Sequence, residues 1–311
     1  MKKFIPIVAV ILILAITAYL LLFKDSLSNI DNKTEKIDNF KFSEFTKLKS
    51  CSTMPMFLYK AGVRVPVIDL SQEKYTGIAF YYKNFTRAIH KKSWERFEYL
   101  GTYAIDRGGN IYLTPNPLIS INPTTFNLQK AIYKLDSING KLDRWLVIDE
   151  IKPTQNNPYG LISVAYDCDD NSLYASAIDK SNYKGSKGRI YHINIKDKSY
   201  KKVIDNFDAL TITILKSKDK KYLIAGSAYD NSLYAFEFKE NRVDNLPHKL
   251  LSLTNPELHI RKIKVIGKNR LKLEAIKFSY SLIAATVKKK RFIFIANYNP
   301  TTNKWSIKEQ K

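Results

Sequence analysis

The sequence predicts an all-β fold, a β-propeller of five or six four-stranded blades with six preferred, preceded by an N-terminal transmembrane helix. Three observations carry this reading. From residue 56 onward, short runs rich in Val, Ile, Leu, Tyr and Phe alternate with polar turn clusters, and no helical period is sustained. One strand–turn–strand unit, GLISVAYDCDDNSLYAS at residues 160–176, recurs along the chain. Residues 4–23, FIPIVAVILILAITAYLLLF, carry no charge.

At about 1.5 Å per helical residue that apolar run covers a hydrocarbon core of about 30 Å. The amino terminus, Lys2 and Lys3 lie on its short side, whereas Lys24 and Asp25 cancel on the other. Positive charge is retained on the cytoplasmic side, so residues 1–3 are expected in the cytoplasm and the body outside. A cleaved signal peptide needs a shorter apolar region and a small-residue cleavage site. Residues 15–18, AITA, do not supply one, which favours an uncleaved signal anchor. Residues 24–50 are polar and read as a stalk, with Phe40, Phe42, Phe45 and Leu48 placed to pack its end onto the propeller domain, residues 51–311.

Within the body, residues 66–69, 76–82, 86–90 and 94–99 are expected to form the first blade. The hairpin unit then appears at 101–113 (GTYAIDRGGNIYL), at 160–176 and at 209–226 (ALTITILKSKDKKYLIAG), with a fainter copy over 262–286. Spacings of roughly 50 to 60 residues approach the usual blade length. Third strands follow at 188–194 and 231–237, each with an Ile-Tyr or Leu-Tyr pair after a polar turn. Residues 145–149 and 200–204 read as outer strands, the latter guarded by lysines against edge pairing. A body of this length holds five or six such blades.

Lys and Arg number 51 against 29 Asp and Glu, a formal charge of +22. That balance suits an anionic envelope polymer or lipid surface. No basic run shows the aromatic interleaving or helix pattern of a nucleic-acid reader, so a nucleic-acid partner is not expected. The membrane, through the N-terminal helix, and a protein partner are the other expected contacts. Asp167, Asp169, Asp170 and Asn171 form an acidic group that lacks the Gly and distal Glu of an EF-hand loop, and they read as turn residues. His90, His192, His248 and His259 are scattered without metal-ligand spacing, and no G-x-S-x-G occurs. Cys51 and Cys168 are the only cysteines. An oxidising compartment permits a disulfide between them, which sequence alone leaves open.

The stretches 207–210, 222–225 and 231–236 (FDAL, YLIA, NSLYAF), with NPYG at 157–160, resemble the gluconolactonase (senescence marker protein) and strictosidine-synthase-like six-bladed propellers. The resemblance spans roughly residues 97 to 240. It implies channel residues at the starts of innermost strands that hold a divalent metal, Ca²⁺ or another, which polarises a lactone carbonyl or activates water. Carried onto this chain, the ligand positions are Glu98, Asn157 and Asp208. Asp208 stands where the family usually has Asn, while Tyr159 and Leu100 occupy the places before Gly160 and Gly101 that would bear ligands. Two functions follow: a membrane-anchored extracytoplasmic binding or scaffolding module, or a metal-dependent lactonase or esterase.

Overall fold

In the computed structural model, the described residues are 40–47, 50–97, 99–117, 123–281 and 290–310. The chain divides into two units, Met1–Lys41 and Phe42–Lys311, and the second contains all the strands named below. Residues 4–23 lie outside the described residues. Among those described, no helix is long and apolar enough to cross a membrane.

The second unit is a five-bladed β-propeller, so the preferred six blades are corrected to five. Blade one contains β1 (Val67–Asp69), β2 (Ala79–Tyr82) and β3 (Arg87–Ile89). Blade two is the meander β4 (Leu100–Ile105), β5 (Ile111–Pro115), β6 (Ala131–Leu135) and β7 (Leu142–Val147). Blade three follows as β8 (Leu161–Asp167), β9 (Ser172–Ala177), β10 (Arg189–Asn194) and β11 (Tyr200–Asp205). Blade four has β12 (Ala209–Lys216), β13 (Lys221–Ser227) and β14 (Ser232–Lys239), with both β15 (Arg242–Val243) and β16 (His248–Ser252) paired to β14. Blade five comprises β17 (Leu258–Gly267), β18 (Arg270–Lys277), β19 (Phe292–Asn299) and β20 (Lys304–Gln310).

The repeated hairpins become the two inner strands of blades two to five. The count falls to five because two blades take more chain than a minimal meander. Blade two spends residues 116–130 between β5 and β6, including a 3-10 turn at Pro123–Leu128, and blade four inserts β15. The fourth strand expected at residues 94–99 is also corrected. Lys92–Phe97 forms a 3-10 helix, leaving blade one three-stranded among the described residues. Trp94 explains the change: it is fully buried, its indole Nε1 donates to Gly140 O at 2.9 Å, and its ring meets Phe57 and Phe80 edge-on. A side chain committed to the space between blades cannot also alternate along an outer strand.

Blades pack face to face through the inward-pointing residues of their pleats. Leu58, Ile78, Phe80 and Trp94 of the first meet Leu100, Leu113 and Tyr133 of the second. Tyr112, Ile132, Leu161 and Leu173 join the second to the third. Tyr174, Ile190, Leu223 and Phe236 join the third to the fourth. Polar bonds near the axis add direction. Thr102 Oγ1 accepts from Val164 N at 3.1 Å, and Ser163 Oγ accepts from Ile212 N at 3.0 Å, so β4, β8 and β12 are stitched in order.

The chain entering the propeller is a strap across the hairpin ends of four blades. Phe42 is buried against the rings of Tyr222, Tyr298 and Trp305, in blades four and five. Phe45 exchanges backbone and side-chain bonds with Asn269 and bridges to Ser217. Cys51 is joined to Cys168 at the β8–β9 hairpin, with Cα atoms 6.2 Å apart. Thr53 Oγ1 then donates to Arg107 O, and the amides of Met56 and Phe57 donate to Ser137, all in blade two. The short helix α1 (Met56–Lys60) carries the chain on into blade one.

Candidate functional site

In each of blades two to five, the innermost strand contains one residue too many near its start. The ladder slips between Leu100 and Tyr103 in β4, Leu161 and Ser163 in β8, Ala209 and Thr211 in β12, and Ile260 and Lys262 in β17. A bulge leaves its extra residue outside the ladder and re-aims the side chain. The extra residues are Ile162, Leu210 and Arg261, with Gly101 and Thr102 sharing the role in β4. All of them line a single cleft of ≈ 190 Å³, together with Pro115, Asn116, Tyr159, Ile276 and Phe278. Four blades therefore use one backbone device to furnish the channel mouth.

Arg261 differs in chemistry from its equivalents. It is half-buried, and among the described residues no carboxylate lies within ion-pair distance of it and it makes no hydrogen bond. The neighbouring Glu274 forms long ion pairs with Lys262 at 3.7 Å and Arg291 at 3.6 Å, and its buried Oε1 has no hydrogen-bond partner. Burial pulls the guanidinium below its usual pKa, with Glu274 opposing. An arginine nonetheless stays charged at neutral pH, so this is a cation facing a largely apolar cleft. Across from it, burial pushes the Tyr159 phenol up, against the pull of Arg261.

Aromatic rings continue the wall. Tyr159 meets Phe278 at 5.2 Å between centroids, Phe278 meets Tyr280 at 5.2 Å, and Tyr280 meets Tyr183 edge-on at 5.5 Å. His259 lies 5.8 Å from the Phe278 ring, and burial lowers its pKa.

The residues expected to hold a metal sit otherwise. Glu98 lies outside the described residues. Asn157 is buried and spends its side chain on the backbone: Nδ2 donates to Ile178 O at 2.6 Å and Ser181 O at 2.8 Å, while Oδ1 accepts from Tyr159 N at 3.1 Å. Asp208, 1% exposed, accepts from Gly188 N at 2.7 Å and the Ser181 hydroxyl through Oδ1, and from the Tyr280 hydroxyl through Oδ2. A hard cation needs several free oxygens converging at about 2.3–2.6 Å. The oxygens of Asn157 and Asp208 are instead committed to holding loops. Among the described residues, no group of three His, Cys, Asp or Glu side chains is placed to bind a metal ion.

The acidic turn is likewise structural. Asp169 pairs with Lys216 at 2.8 Å and Lys221 at 3.3 Å, Asp170 meets His192 at 3.1 Å, and buried Asp167 pairs with Lys221. Asn171 takes the left-handed conformation that closes the turn, φ 55°. His90 bonds Ile78 O and Glu95.

Arg261 escaped the sequence reading because HIRKIKVIG scans as a plain alternating strand. A signal was present. Apolar residues fall on even positions at 258 and 260 and on odd positions at 263 and 265, and such a phase slip marks a bulge.

No known family profile and no curated protein matches the sequence. Among solved structures, an ancestral GH74 enzyme aligns over 76% of this chain with a TM-score of 0.44 and 11% identity, and the chain spans 31% of that protein's length. Hydrazine synthase from Kuenenia stuttgartiensis aligns over 89% of this chain and 68% of its own, with a TM-score of 0.42 and 9% identity. The PQQ-bound aldose sugar dehydrogenase from Streptomyces coelicolor aligns over 74% of this chain and 98% of its own, with a TM-score of 0.28 and 9% identity. The propeller assignment stands on the sheets themselves.

Proposed function

We propose that this protein is a binding module, a propeller held outside the cell membrane by residues 4–23, whose ligand site is the cleft at the channel mouth. The observation that carries this reading is the commitment of Asn157 and Asp208 to loop hydrogen bonds, together with a cleft-lining Arg261 that makes no hydrogen bond among the described residues. Binding needs a shaped cleft and one oriented polar group. Lactone hydrolysis of the gluconolactonase type would need those same oxygens free.

A bond between Cys51 and Cys168 supports an oxidising compartment. The formal charge of +22 supports attraction of the surface to an anionic envelope polymer or an acidic protein partner. The deciding experiment is hydrolysis of glucono-δ-lactone and a nitrophenyl ester by the purified full-length protein, with added Ca²⁺ and with chelator. Rates at the buffer level in both conditions are expected. Turnover abolished by chelator and restored by Ca²⁺ would overturn the reading in favour of a hydrolase.

A further inference from the structure

We propose that the channel-mouth cleft binds a small organic carboxylate with a ring-sized apolar body, its carboxylate on Arg261 and its body against Phe278 and Tyr159. This deepens the binding-module reading and rests on it.

Removing Arg261 from water is offset only in part by the protein: Glu274 attracts it from beyond ion-pair distance while also pairing with Lys262 and Arg291, and Asp208 is closed by three donors. The bulge between Ile260 and Lys262 nevertheless aims this residue into the cleft. The equivalent bulges of β8 and β12 present Ile162 and Leu210, so the cation faces apolar walls and not a polar cage. A planar fork of donors matches a carboxylate in two-point contact. Thr102, Asn116 and the Tyr159 phenol are the remaining polar side chains of the cleft, and none is ionic at neutral pH.

Size narrows the class. An apolar cavity of about 150 Å³ takes a benzene ring. The cleft of ≈ 190 Å³ leaves room for a ring and one carboxylate. Phe278 stacks obliquely on Tyr159 at 5.2 Å and meets Tyr280 edge-on, which leaves an aromatic wall for the body.

The test uses the full-length chain in detergent micelles and three probes by calorimetry: phenylacetate, phenylacetamide and acetate. Phenylacetate should bind saturably. Its uncharged amide and its ring-free analogue should each bind about tenfold or more weakly, the loss expected when a charge-assisted contact or a buried ring is removed. Arg261→Met should weaken phenylacetate by about tenfold or more while leaving the far-UV and near-UV spectra unchanged, and Arg261→Lys should fall between. Equal binding of acid and amide, equal binding with and without the ring, no loss in Arg261→Met, or no phenylacetate binding at all would each overturn the proposal. Should Arg261→Met fail to fold, the three probes on the unaltered protein still decide. Chelator-sensitive hydrolysis would defeat the binding-module reading, whereas a negative result here defeats only the ligand class.

Discussion

Asp208 shows how a single buried carboxylate can hold several loops at once. Its three donors come from two places: Ser181 and Gly188 from the connection between β9 and β10, and Tyr280 from the segment that follows β18. Hydrogen bonds to a charged acceptor contribute about 1.5–3 kcal/mol each, and a buried donor left unmatched costs about 1–3 kcal/mol. Asp208→Asn keeps the shape but turns an NH₂ toward at least one donor. The variant should unfold at lower denaturant, with a loss of about 2–3 kcal/mol. A loss below about 0.5 kcal/mol in urea titration would show that the carboxylate is not structural. The position of Asp208 before an inner strand was legible in the sequence. Its commitment was not, because Ser181 and Tyr280 lie 27 and 72 residues away along the chain.

At the level of elements, the hairpins were readable and the bulges were not. A run such as LISVAYD followed by an acidic turn and SLYASA specifies strand, turn and strand by local propensity alone, and β8 and β9 follow it. Blade one shows the opposite case, since Trp94 is held by packing against Gly140 from the next blade. The acidic turn also has a measurable consequence. The Lys216 ammonium holds the Asp169 carboxyl below its usual pKa, with Lys221 assisting against burial. A group with a lowered folded pKa contributes stability above its unfolded value near pH 4, and that contribution is lost as pH falls through the folded value. Asp169→Asn should therefore lose a small, solvent-screened amount of stability at neutral pH and flatten the acid limb below about pH 4 by that same amount, so that variant and parent converge at low pH. Parallel acid limbs for variant and parent, followed by urea midpoint against pH, would remove Asp169 from the account.

For the whole molecule, the strap ties together blades that also meet through side-chain packing and a few hydrogen bonds between neighbours. The Cys51–Cys168 bond closes a separation of 117 residues. In the loop-entropy picture, closing a loop of about 100 residues stabilises by about 4–5 kcal/mol, and engineered cases often deliver less. Cys51→Ser with Cys168→Ser should lower the thermal midpoint by several degrees while the inner hairpins still fold. Maleimide labelling of denatured, unreduced protein from cells should find neither thiol; full labelling of both would remove the bond and with it the support for an oxidising compartment. The strap's path was half legible, in the phenylalanines spaced along an otherwise polar stretch. Which blades they reach depends on closure of the ring, and blade count is a property of closure that local patterns do not encode.

The strap also sets an order in time. Phe45 is synthesised early, yet its side-chain partner Asn269 follows 224 residues later, and the oxygen of Asn303 that receives the Phe42 amide lies 261 residues on. Contacts of such separation carry the largest closure cost and cannot form until the distant blades exist. The aromatic side chains of the strap must therefore remain exposed until blade five is made, and a segment made before every blade is among the last to dock.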